Sequence, residues 1–191
     1  MAAFAAVSGW VYLKLANGFS AREAPGFLEQ WLARTARSAA IPPDSKGLKN
    51  PVPNTSAILS SARAHWADHC AVCHANNGSG EIAMGRNLYP PPPDMRLAET
   101  QRRTDGELYF MIQNGIRLTG MPAWGEPGPN DKASWELVHF IRHLPQITFE
   151  EEKVMEKLNP KTRDAFAQED AMERFLKGEQ VDVQSLHSHH H

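Results

Sequence analysis

An all-α fold is predicted for this chain of 191 residues, and three observations predict it. Apolar residues recur at helical spacing in several separate segments. Helix start and stop signals bracket those segments, and a Cys-x-x-Cys-His motif stands at the end of one of them. The expected organisation is a small helical domain over residues 55–147, carrying helical extensions on both sides: 1–19 as a partial signal or transmembrane anchor, 20–54 as an amphipathic helix and Pro-rich linker, and 148–191 as a charged helical extension with a His-rich tail.

The first thirteen residues are apolar and then meet Lys14, which is short of the ~20 needed to span a bilayer. With no basic stretch before them and no small-residue cleavage site after them, they are read as the outer half of a signal anchor, with Trp10 and Tyr12 near the interface. A short buried or interfacial helix is the alternative. Residues 21–37 predict a second helix with Phe27, Leu28, Trp31 and Leu32 on one face, which needs a membrane surface, the central domain or another subunit to cover it. The four prolines between Ile41 and Asn54 make that segment a linker or a wrapping strap.

In the central domain, Thr55 or Ser56 caps a helix whose Ile58, Ala62, Trp66 and Cys70 share one side. Residues 105–114 form another, capped by Thr104 or Asp105 and ended by Gly115 in the αL conformation. A third runs from Asp131 to Leu144 with Leu137, Val138, Ile141 and Leu144 as its apolar face and Pro145 as its stop. The first and last of these are expected to cross. Beyond Ile147, Glu150, Glu151 and Glu152 open a short helix that Asn159-Pro160 breaks, and residues 164–177 form a charged helix whose Phe166, Phe175 and Leu176 pack back or dock on a partner. The closing His187-Ser188-His189-His190-His191 reads either as a purification tag or as a native tail binding copper, nickel or zinc loosely.

The chemistry concentrates in Cys70-Ala71-Val72-Cys73-His74, which holds both cysteines of the chain and has the spacing of a c-type haem attachment site. Two thiols add across the haem vinyl groups, and the adjacent imidazole reaches the iron. A redox disulfide would need a βαβ setting, and a structural zinc site would need four ligands. Electron-transfer haems of this type hold iron between His and Met. Of seven methionines, Met84 follows His74 too closely to reach the opposite face, Met111 reads as helix core, and Met155 and Met172 lie in charged segments beyond the domain. Met121 sits in an irregular loop between Gly120 and Pro122 and is the expected ligand, with Met95, in a second Pro-stiffened loop, in reserve. A domain this small has little hydrophobic core, so the porphyrin must supply much of it.

With the attachment motif, Asn77-Gly78-Ser79-Gly80 after it, the prolines at 90–93, the Gly120-Met121-Pro122 loop and the closing helix from Trp135 to Leu144, the sequence over residues 55–147 resembles the class I monohaem cytochromes c. The resemblance implies one covalent haem c, iron held by His74 and Met121, one-electron transfer and no catalysis by the chain alone. It implies redox partners such as a quinol-oxidising complex, a terminal oxidase or a dehydrogenase, and a place in a respiratory chain on the periplasmic side of a bacterial cytoplasmic membrane. It also makes Arg86, Tyr89, Arg117 and Trp135 candidates for hydrogen bonds to the haem propionates, against surface solvation or ordinary packing. Trp124 either covers the haem edge or packs under it. His65, His69, His139 and His143 are read as solvent-facing; the last two, four apart on a helix, are too few for a metal site.

Charge narrows the choice further. Lys and Arg against Asp and Glu number 6 and 3 in residues 1–54, 8 and 9 in 55–147, and 6 and 10 in 148–191, so no segment has the basic excess of a nucleic-acid binder. Two other functions stay open: a haem-based ligand binder or sensor if the Met121 loop moves away, and metal handling through the His-rich tail.

Overall fold

The computed structural model describes residues 2–16, 18, 20–161 and 163–178; the His-rich tail and the Phe166 side chain lie outside them. All regular structure among the described residues is helical, as predicted. In chain order the helices are α1 (Ala2–Ala16), α2 (Phe27–Ala40), α3 (Pro43–Lys46), α4 (Ser56–His65), a π turn (Trp66–Cys70) leading into α5 (Ala71–His74), α6 (Ala83–Arg86), α7 (Ala98–Gln101), α8 (Asp105–Asn114), α9 (Lys132–His143) with a 3₁₀ turn (Leu144–Gln146), α10 (Phe149–Glu156) and α11 (Arg163–Leu176).

The caps explain where the central helices begin. Thr55 accepts from the Ile58 N–H at 3.3 Å, and Asp131 accepts from the Ser134 N–H at 3.4 Å. Thr104 and Glu107 form a reciprocal capping box at α8. That helix ends at Gly115 with φ +65° and ψ −171°. The expected αL cap is therefore not formed; Gly115 takes the mirror-image extended conformation that is essentially confined to glycine. α4 packs against α9, with Ser61 donating to the buried Glu136 at 3.0 Å. Their facing sides bury Ala62, Trp66, Leu137, Val138, Phe140 and Ile141.

The packed unit is wider than residues 55–147. Ile41 and Val52 of the Pro-rich segment are buried. Asn50 donates to the Trp135 carbonyl at 2.9 Å, and His139 Nε2 meets the Val52 carbonyl at 2.7 Å, so the segment is a strap rather than a free linker. A Cβ on Gly106 would stand 1.8 Å from the Ser45 carbonyl oxygen; glycine there lets α3 lie against α8. On the other side, Met155 of α10 is fully buried in the common core. Asn159 donates to the Ala67 carbonyl at 3.1 Å, and Glu151 joins Arg63 at 3.2 Å and His143 at 2.9 Å. His139 and His143 thus tie segments together instead of facing solvent.

Burial works against ionising Glu151, yet the Thr148 N–H and His143 outweigh it and hold its carboxyl below the ordinary glutamate value. A lowered folded-state pKa means stability that is complete above the ordinary glutamate range and lost as pH falls through the lowered value. Acid titration of the unfolding midpoint should therefore show a steeper acid-side loss for wild type than for Glu151→Gln; parallel curves would remove Glu151 from the account.

α1 and α2 lie outside this core. No helix among the described residues is long and apolar enough to cross a membrane. α2 buries none of its residues, and Phe27, Leu28, Trp31 and Leu32 are all more than half exposed. Its polar side faces the domain: Arg34 pairs with Glu99 at 3.1 Å, Glu29 accepts from the Tyr89 hydroxyl, and the Ser38 carbonyl accepts from Lys46 at 2.8 Å. In α11, Phe175 and Leu176 are exposed.

Candidate functional site

The Cys-x-x-Cys-His segment is aimed by the helix that precedes it. At Trp66–Cys70 the α4 backbone widens into one π turn, a feature that shifts the register of side chains and recurs at functional sites. The motif then closes in α5, and Ala75 turns the chain away with φ +61°. Two hydrogen bonds fix this corner. Trp66 Nε1 donates to the Ala75 carbonyl at 3.0 Å, and the Gly80 N–H donates to the His74 carbonyl at 2.9 Å. The Trp66 ring lies 5.6 Å from the His74 ring, centre to centre. At Gly85 a Cβ would stand 2.4 Å from the Cys73 carbonyl oxygen, so α6 approaches the motif as closely as backbone permits.

These residues form one wall of a cleft that is partly open to solvent. Cys70, Cys73 and His74 face it together with Trp66, Leu137 and Ile141 from the helix crossing, and the prolines at 90–93 border it. Met121 enters from the loop after α8. Its carbonyl accepts from the Ile116 N–H at 3.0 Å, its N–H donates to Thr119 Oγ1 at 3.2 Å, and the Trp124 N–H returns to the Ile112 carbonyl at 3.1 Å. Met95 also lines the cleft. Its N–H is bonded to the Gly78 carbonyl at 2.8 Å, which ties it to the loop just after His74. His69 is stacked with Trp124 at 5.6 Å, and both side chains border the cleft.

The electrostatics of the motif follow from its burial. Burial, with Cys73 adding to it, pushes the Cys70 thiol up to about 12, and burial raises Cys73 as well. Burial also lowers His74 to about 4, leaving its imidazole neutral. Both thiols are unpaired, and His74 Nδ1 is buried without a hydrogen-bond partner. An apolar cleft carrying two free thiols, a neutral imidazole and a thioether fits a haem, whose macrocycle is apolar and whose iron accepts N and S donors. Among the described residues, no group of three or more acidic, His or Cys side chains is arranged to hold a bare metal ion.

The propionate candidates are placed differently from the ligand candidates. Arg86 is exposed and paired with Glu81 at 3.3 Å. Arg117 is exposed on the loop surface, and Tyr89 is engaged by Glu29. Trp135 is buried, stacked 3.9 Å from Tyr109, and donates to the Pro129 carbonyl at 3.0 Å; it is a core residue. None of the four lines the cleft. The cation that does is Arg37, from α2. Sequence reasoning passed it over because a charged residue on an amphipathic helix is ordinarily assigned to solvent; its three-residue spacing from Arg34, on the side away from Trp31, was the available signal.

Residues 57–141, somewhat under half of the chain, match the family model described as cytochrome C oxidase, cbb3-type, subunit III. No curated protein matches the chain.

Proposed function

Residues 57–141 are a c-type cytochrome domain, which performs haem-based electron transfer, and from that premise we propose that this chain is a one-electron carrier with a single haem attached through Cys70 and Cys73 and ligated by His74 and Met121. The observation that carries this reading is the convergence of both thiols, His74 and Met121 on one apolar cleft. When bound, the haem supplies the ferric/ferrous couple. The chain's part is to present a neutral imidazole from one wall and a thioether from another, and to limit water at both. Met121 is favoured over Met95 because it arrives on a separate loop, whereas Met95 is bonded to the turn that follows His74. Thioether ligation raises the potential, which suits a carrier delivering electrons to an oxidase or dehydrogenase after receiving them from a quinol-oxidising complex. Held by both His74 and Met121, the haem would supply electron transfer and would leave no open position for substrate chemistry.

We place the chain on the periplasmic side of a bacterial cytoplasmic membrane, as part of or beside a respiratory complex. The covalent haem chemistry supports this, as does the apolar N-terminal segment with Trp10 and Tyr12 exposed on α1. The domain proposed as the functional unit is the cytochrome domain with its strap and α10 attached.

The test is the ferric absorption spectrum of the haem-loaded protein beside Met121→Leu. The thioether-to-iron charge-transfer band at the red end should be present in wild type and absent in the variant. A band that persists would transfer ligation to Met95; no band in either protein would replace the carrier with a haem-based ligand binder.

A further inference from the structure

The cleft takes one of its lining side chains from outside the cytochrome domain. Arg37 belongs to α2, twenty residues before the matched segment begins, yet its side chain reaches the same cleft as His74 and Met121. Its Nε is buried without a hydrogen-bond partner. The charged groups around it come from three places: Arg34 on its own helix, Glu99 on α7, and Arg103 in the turn between α7 and α8. Glu99, the acid in that set, is taken by Arg34 at 3.1 Å. Arg37 is therefore a partly buried guanidinium among two other arginines, facing an apolar cleft.

A partly buried cation beside two like charges gains by meeting an anion. A guanidinium is shaped for a carboxylate, which it can hold through two parallel N–H bonds. On the reading that the cleft holds haem, the anion that enters with it is a propionate. We propose that Arg37 is the cationic partner of a haem propionate, so that the N-terminal extension, and not the cytochrome domain alone, completes the haem site. Burial first, and then Arg103, lower the basicity of Arg37, as expected of a cation whose counter-ion arrives with the cofactor. α2 is held in place for this role by the contacts of Glu29, Arg34 and Ser38 with the domain.

The test uses the full chain loaded with haem, comparing wild type, Arg37→Gln, Arg37→Lys and, as a control of equal charge change at an exposed position of the same extension, Arg22→Gln. Removing a positive charge beside the haem favours the ferric form. Arg37→Gln should shift the ferric-to-ferrous ratio at fixed applied potential three- to tenfold toward ferric, up to about 59 mV in midpoint for one electron. It should also make the midpoint fall with rising pH near neutrality, because the unpaired propionate then titrates there. Arg37→Lys should fall between it and wild type, and Arg22→Gln should match wild type. Equal shifts in the Arg22 and Arg37 variants, or unchanged midpoints and pH profiles in both Arg37 variants, would overturn the assignment. Should Arg37→Gln fail to fold, the Arg37→Lys midpoint and pH profile decide alone. The underlying haem reading fails separately, if wild type carries no covalent haem in its alkaline pyridine spectrum.

Discussion

Trp66→Ala is expected to remove about 3–5 kcal/mol of folding stability, the usual cost of truncating a buried Trp, and to loosen the attachment segment with it. Trp66 is 2% exposed, its ring lies 5.4 Å from that of Phe140 and 5.6 Å from that of His74, and its N–H satisfies the Ala75 carbonyl. Truncation empties the space between the π turn and α9 and leaves that carbonyl without its partner at the corner where the chain leaves His74. Small domains are stable by only about 5–15 kcal/mol, so the loss is a large fraction of the whole. Urea unfolding of wild type and variant measures it. Trp66→Phe should recover much of the packing but not the Ala75 hydrogen bond, and equal stability of the Phe and Ala variants would show that packing is not the main contribution.

Gly115→Ala is expected to displace Met121 while leaving the attachment segment in place. Gly115 has φ +65° and ψ −171°, a conformation costing a residue with a Cβ about 1–3 kcal/mol. The added Cβ would stand 2.6–2.7 Å from the Pro122 carbonyl carbon, the Ala123 nitrogen and the Met121 carbonyl oxygen. All three are backbone atoms that cannot swing aside, so the loop itself must move. The ferric spectrum should lose or weaken its thioether band with covalent haem retained. Gly128→Ala is the matching control, because Gly128 has φ +113° but open space where its Cβ would go. A band lost equally in both variants would point to general loosening instead of the Met121 contact.

The elements that were legible in the sequence are those whose signals are local. Thr55 and Thr104 announced their helices because a cap is a hydrogen bond to a residue three positions on. Cys70, Cys73, His74 and Met121 could be grouped in one site because their chemistry is specific and their loops are punctuated by glycine and proline; the structure lines one cleft with all four. What was hidden depended on long-range packing. α10 looks detached because three glutamates open it, yet its single buried side chain, Met155, and the Glu151 pairs fasten it to the core. α2 invites the assumption that its apolar face is the contact face, whereas it meets the domain through Glu29, Arg34 and Arg37. Periodicity marks an amphipathic helix but does not say which side another element will take.

The strap and α10 bear directly on how this domain can be excised. Cutting at the ends of the matched segment, 57 and 141, would discard Ile41, Val52 and Met155, all buried, together with the Asn50, Val52 and Asn159 hydrogen bonds that close the domain on itself. Such a fragment would carry every residue of the attachment motif and still present raw apolar surface on two sides. The shortest piece that keeps its own wrapping runs from 41 to 159, and it is Arg37, four residues outside that piece, that ties the choice of a starting residue to the chemistry of the cleft.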